Sequence, residues 1–220
     1  MQNATQLSLK LLREALSGEV ADIGTPTEEE LAECFILLKK HDLAHFGAEG
    51  LRAHGVSLPD KLKKSFEGEG ALAVYRYTRL WQAYDKICEV FEEAGIDYLP
   101  LKGAYTKEAY PKPEMRTSCD VDILVRESAL SEATSLLCQK LGFKKDGETF
   151  HDVSLTLGEG VHLELHYNIT ETDERIDPLL REVWQNAAPV DGTHRYRMTK
   201  PWLKGKATVP LGLRYYLLQT

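Results

Sequence analysis

"SCDVDILV", residues 118–125, decides how the second half of this 220-residue chain is read. Side chains alternate across a strand, so Val121, Ile123 and Val125 share one face while Asp120, Asp122 and Leu124 share the other. The first set belongs in a core. The second sets two like charges at i and i+2, where each opposes the ionisation of the other. Such a pair is about 6–7 Å apart at the backbone. Its carboxylates can pivot toward one point, or toward two points about 3.5–4 Å apart, the spacing of paired divalent ions. Metal between them would remove the repulsion. A strand leaving its sheet with two solvated aspartates is the bland alternative, and D-x-D alone leaves both open.

Three neighbouring stretches bear on the choice. "LPLKGAY", residues 99–105, reads as a strand running through Lys102 into Gly103 and then a helix. Backbone N–H groups at a helix start bind phosphate, glycine permits close approach, and Lys102 adds positive charge. An ordinary glycine turn with a solvated lysine fits the same letters. Arg116 lies four residues before Asp120 in a polar loop, as a phosphate-facing cation or a plain surface arginine. "VHLELHYN", residues 161–168, puts His162, Glu164 and His166 on one strand face and Val161, Leu163, Leu165 and Tyr167 on the other. Three alternate strand residues span about 13 Å, too far for all of them to meet one ion at bonds of about 2 Å. A zinc triad from this strand alone therefore fails. Glu164 as a third acid beside Asp120 and Asp122, flanked by its histidines, is the workable use; otherwise the histidines are ordinary, partly buried side chains.

Around this region the chain divides into three. Residues 1–95 read as a helical N-terminal region. Leu7, Leu11, Ala15 and Leu16 form an apolar stripe that Gly18 ends. Thr27 and Glu30 make a capping box ahead of "ELAECFILLKK". Helices are expected over about 42–54 and 60–94, the latter weakened at Gly68 and Gly70. Residues 96–198 form a mixed α/β unit with strands at "IDYLPL", "CDVDILV", "DVSLTL" and "VHLELHYNI". It has helices at "GAYTKEAY", at "SALSEATSLLCQKLG" closed by Gly142, and at "DPLLREVWQNA", with "HRYRM" as a last strand. Residues 199–220 are a C-terminal segment with an apolar end, either a last helix or the start of a truncated helical region.

The totals exclude several classes. Hydrophobic content of 43% with 28% charged residues is that of a globular protein. No apolar run approaches the ~20 residues of a membrane span, and the N-terminus lacks a signal peptide's apolar block, so a cytoplasmic protein without membrane partners is expected. Net charge is −7 and no Lys/Arg block exceeds a pair, which argues against broad electrostatic binding to nucleic acid. Cys34, Cys88, Cys119 and Cys138 have no C-x-x-C spacing and read as reduced, mostly buried thiols.

Taken in order, Lys102–Gly103, Arg116, Asp120-x-Asp122, a helix and the E-L-H strand at Glu164 resemble the nucleotidyltransferase superfamily. The likeness is greatest to its uncharacterised families related to the aminoglycoside and lincosamide nucleotidyltransferases, and covers about Leu99 to Asn168. It implies an α+β fold in which a small mixed sheet with flanking helices follows the helical N-terminal region. It implies Mg²⁺ or Mn²⁺ on Asp120, Asp122 and Glu164 as metal and catalytic residues, with Lys102, Gly103 and Arg116 on the triphosphate of a nucleoside triphosphate (ATP or another NTP). The reaction implied is transfer of a nucleoside monophosphate to a hydroxyl-bearing acceptor with release of pyrophosphate. Two departures stand out. Gly103 is followed by Ala104, where the superfamily has glycine or serine, and the interval from Gly103 to Asp120 is long. Two other functions share these features: a phosphocholine-type transferase, and a catalytically inactive binding or partner protein on the same fold.

Overall fold

The computed structural model describes residues 2–101, 103–107, 110–169 and 183–199. Lys102, residues 177–182 of the expected late helix, and residues 200–220 of the C-terminal segment lie outside them. The chain forms two compact units, Met1–Thr78 with Glu108–Thr117, and Arg79–Lys107 with Ser118–Thr220.

The first unit is helical: α1 (Gln2–Ser17), α2 (Glu28–Lys40), α3 (Ala44–Ala53) and the leading part of α4 (Asp60–Ala94). Its core gathers Leu7 and Leu11, Leu31, Cys34 and Leu38, Leu51 and Phe66 from those four helices. The capping box forms as expected: the Glu30 N–H donates to the Thr27 hydroxyl, and the Thr27 N–H to the Glu30 carboxylate. Gly18 ends α1 with φ +71°, a backbone that favours glycine. The stripe on α1 differs from the expected one, because Leu16 is exposed and Glu14 is buried in its place. Glu14 is held there by His54 Nε2 at 2.5 Å and by the Ala21 N–H. On α3, Gly50 admits α1 closely: a Cβ there would stand 2.9 Å from a Leu11 methyl. The α4 helix continues unbroken through Gly68 and Gly70. Residues 110–117 also belong to this unit, with the Lys112 ammonium 2.9 Å from Glu49, whose carboxyl this hydrogen bond pulls below its usual range.

The second unit is built on a five-stranded sheet of order β1-β2-β5-β4-β3, from β1 (Tyr98–Pro100), β2 (Asp120–Val125), β3 (Lys144–Glu148), β4 (Asp152–Leu157) and β5 (Val161–His166). Only β2 and β5 pair in parallel; the other pairs are antiparallel. One face carries two apolar rows, Val121–Leu163–Leu155 and Ile123–Leu165–Val153. They are packed under Leu80, Tyr84, Ile87 and Phe91 of α4 and under Ala133 of α6 (Leu130–Leu136). Past α6 the chain makes a wider turn that ends at Gly142, φ +78°, as its sequence predicts. On the other face Leu99, Leu101 and Leu124 form a smaller cluster with Val183.

Two elements differ from the sequence reading. "DPLLREVWQNA" does not finish as a helix: Val183–Gln185 is a single 3₁₀ turn, and Ala187 begins β6 (Ala187–Pro189), which pairs with β7 (Tyr196–Met198). The hairpin is fixed to β1 by local polar contacts that outweigh helix propensity. The Tyr98 N–H donates to the His194 carbonyl, and Asp97 accepts from Arg126 at 3.0 Å while standing 3.2 Å from His194 Nδ1. Burial opposes ionisation of Asp97, but these partners prevail and hold its carboxyl below the usual value. The other difference is β3, which sequence periodicity does not mark because every residue in it is exposed. Among the cysteines, Cys34 is buried, Cys88 and Cys138 are half-buried and Cys119 is exposed. All are free thiols, and burial raises the pKa of Cys34 and Cys88.

Candidate active site

The parallel pairing of β2 with β5 sets the two motifs in register. Asp120 stands beside His162, Asp122 beside Glu164, and Leu124 beside His166. Antiparallel β4 adds Thr156, Ser154 and Asp152 to these three rows in turn. Directly paired residues project from the same side of a sheet, so all nine share the face opposite the large core. With apolar and polar residues alternating on three adjacent strands, a slip of one residue would turn the charged side of a strand into that core, so alternation excludes such slips.

Asp122, Glu164 and His166 converge. One carboxylate oxygen from each acid and one imidazole nitrogen all lie within 4.8 Å of one another. His166 Nε2 is 3.2 Å from Asp122 Oδ1 and 3.4 Å from Glu164 Oε2. Asp122 is 3% exposed and His166 2%, whereas the Glu164 side chain keeps 34% of its surface in solvent. The cluster thus has a buried floor and one accessible acid at its mouth. Asp120, at the start of β2, is half-buried and stands outside this cluster, its carboxylate accepting from the Ser118 hydroxyl at 3.1 Å. His162 is exposed.

The turn after β1 is brought to the same end of the sheet. The Leu101 N–H donates to the Asp122 carbonyl at 2.9 Å, so the chain reaches Gly103 directly beside the aspartate strand. Gly103–Thr106 is one short helical turn, α5, in which Gly103 is buried and Ala104 joins the core. The long interval before Asp120 has a structural counterpart: residues 110–117, Arg116 among them, belong to the helical unit, and the chain returns to the sheet unit at Ser118.

Sequence reasoning did not assign His166 or Asp152 to the site. Asp152 is 6% exposed, accepts a hydrogen bond from the Thr149 hydroxyl, and lies 3.2 Å from His151 Nε2. The His151 ring lies nearly parallel to that of His166, with centroids 6.0 Å apart. The signal for His166 was the pair of patterns D-x-D and E-x-H on strands that become neighbours. Only their relative register, invisible in either strand alone, brings His166 diagonally back onto Asp122.

A mixed sheet flanked by helices makes this an α+β domain, and its parallel pair carries a buried carboxylate, a partner acid and an imidazole close enough together that they could hold a metal ion. Residues 27–201 match the family described as "Uncharacterised nucleotidyltransferase", and the chain belongs to that family. The solved structure of the antibiotic-resistance factor ANT(2'')-Ia is similar over 42% of this chain and 48% of its own, at 15% identity and a TM-score of 0.36. The match therefore spans about half the length of that relative. No curated protein matches.

Proposed function

We propose that this chain is a divalent-metal-dependent nucleotidyltransferase that moves a nucleoside monophosphate from a nucleoside triphosphate to a hydroxyl acceptor. The proximity of the Asp122 and Glu164 carboxylates supports this most strongly. Two acids at that spacing, one of them withdrawn from water, repel each other, and a divalent cation converts the repulsion into binding. The donor set suits Mg²⁺ or Mn²⁺, which take carboxylate oxygens. When bound, such an ion stabilises charge on the attacking and leaving oxygens.

The chain's own residues supply the rest. Asp122 with Glu164 would hold the cation, and Asp120, at the start of β2, would complete the site on the side of the triphosphate. Lys102 and Arg116 offset phosphate charge, and Gly103 lets the backbone approach the phosphates. The acceptor oxygen bonds to the α-phosphorus as the bond to the bridging oxygen breaks, and pyrophosphate leaves with that electron pair. Glu164, the more accessible acid, takes the hydroxyl proton.

The test is thermal unfolding with ATP, GTP, CTP or UTP, each with Mg²⁺ or Mn²⁺. Cation and triphosphate together are expected to stabilise the protein more than either alone, by about 2.7 kcal/mol at 100 times the dissociation constant. No shift with any triphosphate at millimolar concentration would contradict the assignment.

A further inference from the structure

His166 changes what this site should bind. A nucleotidyl-transfer centre made of acids alone offers only hard oxygen donors, the set suited to Mg²⁺. Here an imidazole nitrogen stands in the same cluster as the two carboxylates. Its separations from them bear on two uses, a hydrogen bond in the metal-free protein and a shared ion when metal is bound. A hydrogen bond from a ring N–H to a carboxylate runs at about 2.7–3.2 Å. The 3.2 Å approach to Asp122 is a hydrogen bond in the metal-free protein, and the 3.4 Å approach to Glu164 is longer than that range. Donor atoms sharing one ion at bonds of about 2.1 Å lie about 3.0 Å apart at right angles and about 3.4 Å apart at tetrahedral angles. Both separations fall in the range set by a common ion.

The surroundings fit a fixed ligand. His166 is 2% exposed, at the end of β5, with Asp152 directly beside it on β4 and the His151 ring nearly parallel to its own. A ring so confined keeps Nε2 aimed at the acids without ordering a mobile side chain on metal binding. His162, two rows away and exposed, takes no part in the cluster.

We infer that His166 is a nitrogen ligand in the metal site, so that the site is a mixed one, Asp122–Glu164–His166, which prefers ions that accept imidazole (Mn²⁺, Co²⁺, Zn²⁺) over Mg²⁺ and takes them up without nucleotide. This rests on the metal-dependent reading of the same cluster, and it separates from the transfer reaction because it needs no triphosphate.

The experiment is nucleotide-free titration of the intact chain with Co²⁺, followed by visible absorption, and with Mg²⁺, followed by calorimetry, on wild type and His166→Gln. The wild type is expected to bind Co²⁺ at least tenfold more tightly than Mg²⁺. His166→Gln is expected to weaken Co²⁺ binding 10- to 100-fold while changing Mg²⁺ binding less than threefold. Equal weakening of both ions would make His166 a positioning residue and overturn the inference, as would an unchanged Co²⁺ affinity or no Co²⁺ binding by the wild type. If His166→Gln does not fold, the wild type carries the test. Zn²⁺ added to ¹⁵N-histidine-labelled protein should move the ring nitrogens of a solvent-protected imidazole, and saturation that moves none overturns it. A His166-dependent preference in a protein that ignores every triphosphate would leave the metal site standing and defeat the transferase assignment instead.

Discussion

On one face of the five-stranded sheet the central rows, Val121–Leu163–Leu155 and Ile123–Leu165–Val153, carry nothing but hydrocarbon; on the other, one residue along, they carry Asp122–Glu164–Ser154 and Leu124–His166–Asp152. The same strands make both faces, and both are withdrawn from water at their centre: Leu165 is 0% exposed, Asp122 3% and His166 2%. Strands paired in parallel and covered on both sides ordinarily read as continuous apolar runs. A polar row at such a place runs against folding, since a carboxylate without compensation is costly to bury. The apolar face is therefore the one that makes the fold, and the polar face is the one that the fold is spent on. Local rules fail most informatively where function overrides them.

If that division holds, substitutions of similar size should have different consequences on the two faces. The largest effect is expected from Leu165→Ala, which empties a fully buried site in the large core. It should cost about 2–5 kcal/mol of unfolding free energy, read by denaturant titration, and leave metal affinity of the folded fraction within a factor of two. A loss below about 1 kcal/mol would mean that the apolar face is not the stabilising one. Asp152→Ala, on the polar face, should cost less. It removes a buried acceptor of the Thr149 hydroxyl that also lies beside His151, so a loss of about 1–3 kcal/mol is expected. That variant sharpens the contrast, because Asp152 is a polar residue whose contacts are internal, whereas Asp122 belongs to the proposed metal site. Equal stability losses at Asp152 and Asp122 would erase the distinction.

How much of this was legible beforehand depended on whether a residue's role is local. Thr27 and Glu30 satisfy each other's backbone within one turn, so the capping box could be read from four letters. Gly18 and Gly142 likewise mark helix ends through their own backbone conformation. The alternation in "DVDILV" and "VHLELH" gave both strands and assigned each side chain to a face. What alternation cannot give is register between strands 40 residues apart, and His166 belongs to the cluster only because β2 and β5 pair with Asp122 beside Glu164. The β3 strand escaped because "KKDGE" is exposed on every residue and has no periodicity to read. At Leu16 and Glu14 the apolar stripe of α1 misled, since Glu14, in contact with His54 and the Ala21 N–H, takes the buried place that local patterning gives to a leucine.

The separation of a folding face from a proposed metal-binding face is tested most directly by Asp122→Asn, with two quantities measured on the one variant. The substitution keeps the shape of the side chain and an oxygen to accept from His166, and it removes one of two neighbouring negative charges. The metal-free protein is expected to melt at the wild-type temperature or slightly above it, while Mg²⁺- or Mn²⁺-dependent triphosphate binding falls by at least a hundredfold. A variant that melts well below the wild type yet binds metal and triphosphate normally would show Asp122 to be a structural aspartate, and the polar face to be part of the core after all.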